Sequence, residues 1–261
     1  MQRSDQQCLR DFWRELMAEY QSVRTGAGVR TAAIDEGLRA HMNKVYGTMS
    51  VGMLVTFAVA WAIGSSPELM SIFRDPATMR PNILGWVVMF APLLMVFAFG
   101  AVINRLSAAA AQLFFYGFAA VMGLSISWIF VVFAGFSIAQ VFLVTSIAFA
   151  ALSLWGYTTK KDISGWGAFL IMGVVGLIVA SIINIFLGSP AIAFAISILG
   201  LLIFAGLTAY DTQNIKNTYL QMAHAADEEW LGKAAIMGAL SLYLDFINMF
   251  MFLLQLLGNR E

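Results

Sequence analysis

Of the fifteen Asp and Glu residues in the 261-residue chain, only Asp211 and Asp245 touch long apolar runs. A charged side chain at bilayer depth costs roughly 2.5–3.5 kcal/mol on insertion scales, so each needs a reason to be there. Asp245 lies near the middle of the last run, AAIMGALSLYLDFINMFMFLLQLL, from Ala234 to Leu257. Ser241, Asp245, Asn248 and Gln255 follow one another at spacings of four, three and seven residues, and so share one helical face. The opposite face is Leu, Phe and Met. Such a helix belongs inside a bundle, with its polar stripe on a cavity or a partner. Asp211 closes the preceding run within GLTAYDTQNIK. Arg105, at the end of the second run, is the basic residue nearest to membrane depth. The candidate constellation is Asp211, Asp245 and Arg105, with Asn248, Gln213, Tyr243 and Ser241 as polar support.

Two negative charges about 4 Å apart, at an effective dielectric near 20, repel by roughly 4 kcal/mol. A carboxylate pair that meets would therefore keep one proton between its members and titrate as a unit. Ionised, it would bind a hard cation through oxygen, with calcium favoured. Protonated, it would shut. Arg105 nearby would compete with the cation. The mechanism this yields is a proton-sensitive gate on a cation path, with Asp211 and Asp245 as calcium ligands in transit and no cofactor. Depth argues against the meeting. Counted from Ala234, Asp245 lies roughly 16 Å into the membrane, whereas Asp211 ends its run near a surface. The competing reading makes Asp211 an interfacial helix-end residue. In it, Asp245 hydrogen-bonds a Ser, Thr or Tyr across the bundle.

The elements that must position these residues follow from composition. The chain is 60% hydrophobic and 11% charged, against about half and a quarter in soluble domains. Seven apolar runs, Val45–Ile63, Ile83–Ile103, Leu113–Phe133, Ile138–Trp155, Ala168–Leu187, Ala191–Tyr210 and Ala234–Leu257, each have the length of a membrane span. The expected fold class is an all-α membrane protein, a seven-transmembrane-helix bundle. Its parts are a polar N-terminal segment (1–44), the transmembrane domain (45–257) and a short tail (258–261). Links at Ala134–Ser137 and Gly188–Pro190 are short enough to force antiparallel neighbours. Pro92 is expected to kink the second helix. Within the N-terminal segment, Asp11–Tyr20 suits a short helix and Gln21–Ala32 a flexible stretch; Met17 could serve as an alternative start. The first 40 residues lack the apolar core of a signal peptide.

With the N-terminus inside, the inner segments hold twelve Lys and Arg: seven before residue 45, then Arg105, Lys160, Lys161, Lys216 and Lys233. The outer segments hold three, Arg74, Arg80 and Arg260. This bias places the N-terminus in the cytoplasm and the C-terminus outside. A formal net charge of zero suggests no nucleic-acid partner, and membrane lipid is the surrounding medium. Cys8 is the single cysteine and excludes an internal disulfide. Isolated His41 and His224 read as solvated rather than zinc-binding, and Asp162 as a loop charge. Gly117, Gly123, Gly173, Gly176 and Ser181 read as small residues for close helix approach. The aromatics Phe114, Phe115, Tyr116 and Phe118 read as packing or lipid contact. Trp61, Trp86, Trp155, Trp166 and Trp230 lie near run ends, as interfacial belts require. Phosphate-binding glycine loops and HExxH are absent.

GLTAYDTQNIK and ALSLYLDFINMFMFLLQLLG resemble the paired signatures of the Bax inhibitor family, in its bacterial branch, and the likeness spans all seven runs. The resemblance implies a seven-helix bundle with the last helix central, a bacterial inner membrane location and a pH-sensitive calcium leak. It matches Asp211 and Asp245 to the family's two acids, and Arg105 to its basic residue through spacing to Gly123 in VMGLS. Two departures stand out. No acid lies between Ile83 and Ile103, and the link Asn214–Lys233 is long and acidic, with Asp227, Glu228 and Glu229. The leading expectation is a passive cation leak, calcium foremost, closed by acid. The alternative is a regulatory protein that modulates a membrane-bound protease or a stress response without transport. An intramembrane hydrolase is disfavoured: Tyr210-Asp211 supplies a YD, but no GxGD surrounds Asp245. The chain is not expected to be an enzyme.

Overall fold

Every apolar run becomes a helix, and several helices reach well past the run that founded them. The computed structural model describes residues 34–259 apart from 77, 79, 224 and 226. Cys8, Met17, the 11–20 helix, the 21–32 stretch, His224 and Arg260 lie outside the described residues. The chain divides into two units, Met1–His41 and Met42–Glu261. Of the first, the described residues 34–41 are helical.

The elements are α1 (Ile34–Gly64), α2 (Pro67–Ser71), α3 (Ile83–Val102, extended by a 3-10 turn Ile103–Arg105), α4 (Ala108–Ile126), α5 (Ile129–Val132), α6 (Gly135–Thr158), α7 (Trp166–Leu187), α8 (Pro190–Met222) and α9 (Glu228–Leu257). Seven helical stretches are long and apolar enough to cross a membrane, with α3 including its 3-10 turn and α4 running on through α5. Among the described residues the extended structure is one isolated bridge, Arg74 to Pro81. The protein is an all-α membrane bundle, as the run lengths imply.

Local chemistry sets the ends. Gly188 terminates α7 in the left-handed region, φ 60°, its N–H bonding the Asn184 carbonyl. Ser189 then caps α8, accepting from the Ile192 N–H, and Pro190 begins the helix. Asp227 caps α9 through the Trp230 N–H at 2.7 Å, and Glu228 and Glu229 sit in the first turn, where the helix dipole favours anions. The acidic link expected between Asn214 and Lys233 is therefore mostly helix: only Ala223–Asp227 connects α8 to α9. α3 runs unbroken through Pro92.

The last helix is the core of the second unit. In the most apolar window of α9, 56% of residues are buried, against 11% for α3 and α7. It packs on α4, α6 and α8, and Tyr243 reaches α1 through a 2.6 Å bond to Thr56. α3 lies outside on α4, and α7 outside on α8. Phe115 and Phe118 of α4 meet the Tyr243 ring edge-on, and Phe99 stacks on Phe114, so the aromatic-rich third run is core. The five tryptophans at run ends are all exposed. Of the small residues expected at contacts, Gly123 abuts the Thr56 carbonyl and Gly173 abuts Ile203, but Gly117 and Gly176 face open space and Ser181 is exposed. A stripe of small residues on a helix does not say which of them another helix will reach.

Candidate functional site

Asp211 does not end its helix. α8 continues to Met222, about three further turns, and α9 begins at Glu228, six residues before the apolar run. Both acids are thus interior to long antiparallel helices, which removes the depth objection. The facing pairs along the α8–α9 seam fix the register. Ser197 bonds Gln255, Gly200 lies under Phe252, Thr208 meets Met249, and Ile215 covers Gly238. Asp211 and Asp245 fall between the last two of these pairs. Asp211 lies three residues from Thr208 and four from Ile215, and Asp245 four from Met249 and seven from Gly238, so the acids stand on the facing stripes.

Asp245 is 3% exposed, and Asp211 is half-buried. The α8–α9 register sets the two carboxyl groups on facing stripes of neighbouring helices. Asp245 Oδ2 is fully buried with no hydrogen-bond partner among the described residues. The reading in which Asp245 hydrogen-bonds a hydroxyl across the bundle fails for that oxygen. A buried orphan acceptor is costly, so it marks a place where a proton, a water or a cation would be stabilised. Among the described residues no third His, Cys, Asp or Glu joins the pair to make a metal-binding group. Two carboxylates offer four oxygens at most, and calcium takes six to eight. The two acids alone do not fill a calcium coordination shell.

The expected supporting residues disperse. Arg105 is exposed at the end of the 3-10 turn and forms no ion pair with either aspartate. Gln213 is buried, but it fastens the α6–α7 loop: Oε1 accepts from the Ile163 N–H at 2.9 Å and Nε2 donates to the Lys161 carbonyl at 2.8 Å. Tyr243 is fully buried on the α1 and α4 side, paired with Thr56. Asn248 donates to the Leu244 carbonyl of its own helix at 2.8 Å. Ser241 is half-buried on α9. His41 is buried rather than solvated. Asp162 is a loop charge as expected; the Ser164 backbone N–H bonds Oδ1 at 2.9 Å and holds the carboxyl below its ordinary range.

Sequence reading missed a hydroxyl chain that links α1, α6 and α8. Tyr46 of α1 bonds Ser153 of α6 at 2.5 Å, and Ser153 meets Thr212 of α8 at 2.9 Å. Thr212 in turn donates to the Thr208 carbonyl at 2.7 Å. Each hydroxyl stands on a different helix, and Thr212 lies past the end of its apolar run, so no single run displays the pattern.

Comparison with known proteins agrees with this architecture. The family model described as Inhibitor of apoptosis-promoting Bax1 matches residues 38–261. The chain is 43% identical over 225 residues to the Inner membrane protein YbhL of Escherichia coli K12, covering 86% of this chain and 94% of that protein. It is 44% identical over 233 residues to a Caulobacter vibrioides protein, covering 88% of this chain and 92% of that one. A Rickettsia prowazekii protein matches at 38% over 246 residues, 94% of this chain and all of its own length. Seven spans, the two acid-bearing motifs on facing helices and a match over nearly the whole described chain lead to one assignment: this multi-pass membrane protein belongs to the Bax inhibitor family.

Proposed function

We propose that the protein is a pH-sensitive cation leak of the bacterial inner membrane, with calcium the favoured ion, and that Asp211 and Asp245 are its binding point and its proton sensor. The observation that carries this reading is the buried Asp245 Oδ2, without a hydrogen-bond partner among the described residues, on the stripe of α9 that faces the Asp211 stripe of α8. When both carboxyls are ionised, the pair attracts a hard cation through oxygen. A proton placed on the pair removes one charge and the attraction with it. Flux therefore falls as pH falls. The Lys and Arg bias supports an orientation with the N-terminus in the cytoplasm and the C-terminus outside.

Calcium uptake by proteoliposomes over a range of pH tests the proposal. Asp245→Asn and Asp211→Asn each remove an ionisable partner. Each is expected to lower flux about tenfold, as for ~1.4 kcal/mol on a barrier, and to flatten the pH profile. Wild-type flux and pH profile in both variants would contradict it. Arg105 is exposed and forms no ion pair with either acid, so Arg105→Gln is expected to leave the pH midpoint of flux unchanged.

A further inference from the structure

Outward of the acids, toward the C-terminal end of α9, the α8–α9 seam turns apolar. Met249, one turn from Asp245, is 1% exposed. Its Sδ stands 3.4 Å from the hydroxyl of Thr208, which is itself fully buried and already bonded to the Phe204 carbonyl at 2.9 Å. About one turn further out, Phe252 lies against Gly200, where any added Cβ would strike its ring. Phe204 lies beside it, its ring tilted by 33° and the centroids 6.0 Å apart. The seam becomes polar again only at Ser197 and Gln255, joined at 3.0 Å. Inward of the acids, a single aliphatic layer, Ile215 on Gly238, covers the seam.

The polar positions on the two helices thus stand in register at both ends of this stretch and are interrupted by Met249 and Phe252. A thioether is a soft and weak acceptor, and a ring edge offers none, so a hard cation leaving its water there gains almost nothing in return. We propose that Met249, backed by Phe252, is the outer seal of the ion path and sets the barrier between the acid pair and the outer face. The proposal rests on the reading of the acid pair as a point on that path. Methionine suits a seal, because its unbranched, flexible chain can fill the seam and swing aside without moving the backbone.

Initial calcium uptake at neutral pH by proteoliposomes holding the full chain tests it. Met249→Ser shortens the side chain and adds an oxygen opposite Thr208. It is expected to raise the rate about tenfold. Met249→Leu keeps the bulk and is expected to match wild type. Adding Asp245→Asn to Met249→Ser is expected to abolish the gain. A wild-type rate in Met249→Ser, or a rise in Met249→Leu equal to that in Met249→Ser, overturns the seal. A rate that responds to Asp245→Asn but not to Met249→Ser overturns the seal alone; a rate indifferent to Asp245→Asn overturns the acid-pair reading with it. Should Met249→Ser not be recovered as a folded protein, Phe252→Ala carries the test, with the same rise expected and an unchanged rate overturning the proposal.

Discussion

At the scale of single residues, the protein separates two kinds of buried polar group. Some are satisfied at once by their own helix: Thr145, Thr208 and Thr212 each donate to the carbonyl four residues back. Others tie helices together, as Tyr243 does with Thr56 at 2.6 Å while Thr56 donates onward to the Ala119 carbonyl at 2.8 Å. Asp245 Oδ2 belongs to neither kind. The difference predicts different mutant behaviour. Tyr243→Phe removes one hydrogen bond and is expected to cost about 0.5–1.5 kcal/mol of stability, seen as a lower Tm in detergent, with the pH profile of flux unchanged. Asp245→Asn changes function instead, and its Tm is expected to stay at or above wild type, since a neutral amide avoids burying a charge. A Tm loss in Asp245→Asn larger than that in Tyr243→Phe would make the aspartate a structural tie.

At the scale of elements, close approach and capping hold the seam in place. Gly156 of α6 stands against the Ala209 carbonyl of α8, so an added Cβ has nowhere to go. Gly156→Val is expected to overpack that contact and cost about 1–3 kcal/mol, read as a Tm shift, whereas Gly117→Ala, with nothing within 4 Å of its Cβ, is expected to be neutral or slightly stabilising. Asp227→Ala removes the α9 cap and is expected to cost about 1 kcal/mol. These elements show what the sequence carried and what it hid. All seven spans were legible, because a membrane helix declares itself by length and composition. The end of α8 was not, because Thr212–Met222 is polar yet still helical; helix propensity continues where hydropathy stops. That one error created the depth objection to Asp211 meeting Asp245. The supporting residues were misjudged for another reason. Proximity in sequence placed Gln213 and Tyr243 beside the acids, but at about 100° per residue a side chain two positions away points to a different neighbour. Tyr46, Ser153 and Thr212 came together only in space.

At the scale of the whole molecule, Lys216 and Lys233 tie several helix ends together. Lys216 bonds the Tyr157 carbonyl at 2.8 Å, Lys233 lies 3.7 Å from Glu229, and Glu229 in turn accepts from the Ala108 N–H that begins α4. The connections between α3 and α4, α6 and α7, and α8 and α9 therefore share one face of the bundle, which is the cytoplasmic face in the proposed orientation. A reporter fused after Glu261 is expected to be active outside the cytoplasm and silent within it; cytoplasmic activity would invert the topology. The central claim is more demanding. It holds that a proton and a cation exclude each other at Asp211 and Asp245. The most direct measurement is the number of protons released per calcium bound by the purified protein in weakly buffered detergent, followed with a pH indicator. The account predicts about one proton per calcium for a pair that holds one proton in common, and none in Asp245→Asn. Calcium binding with no proton release, or release undiminished in Asp245→Asn, would contradict it.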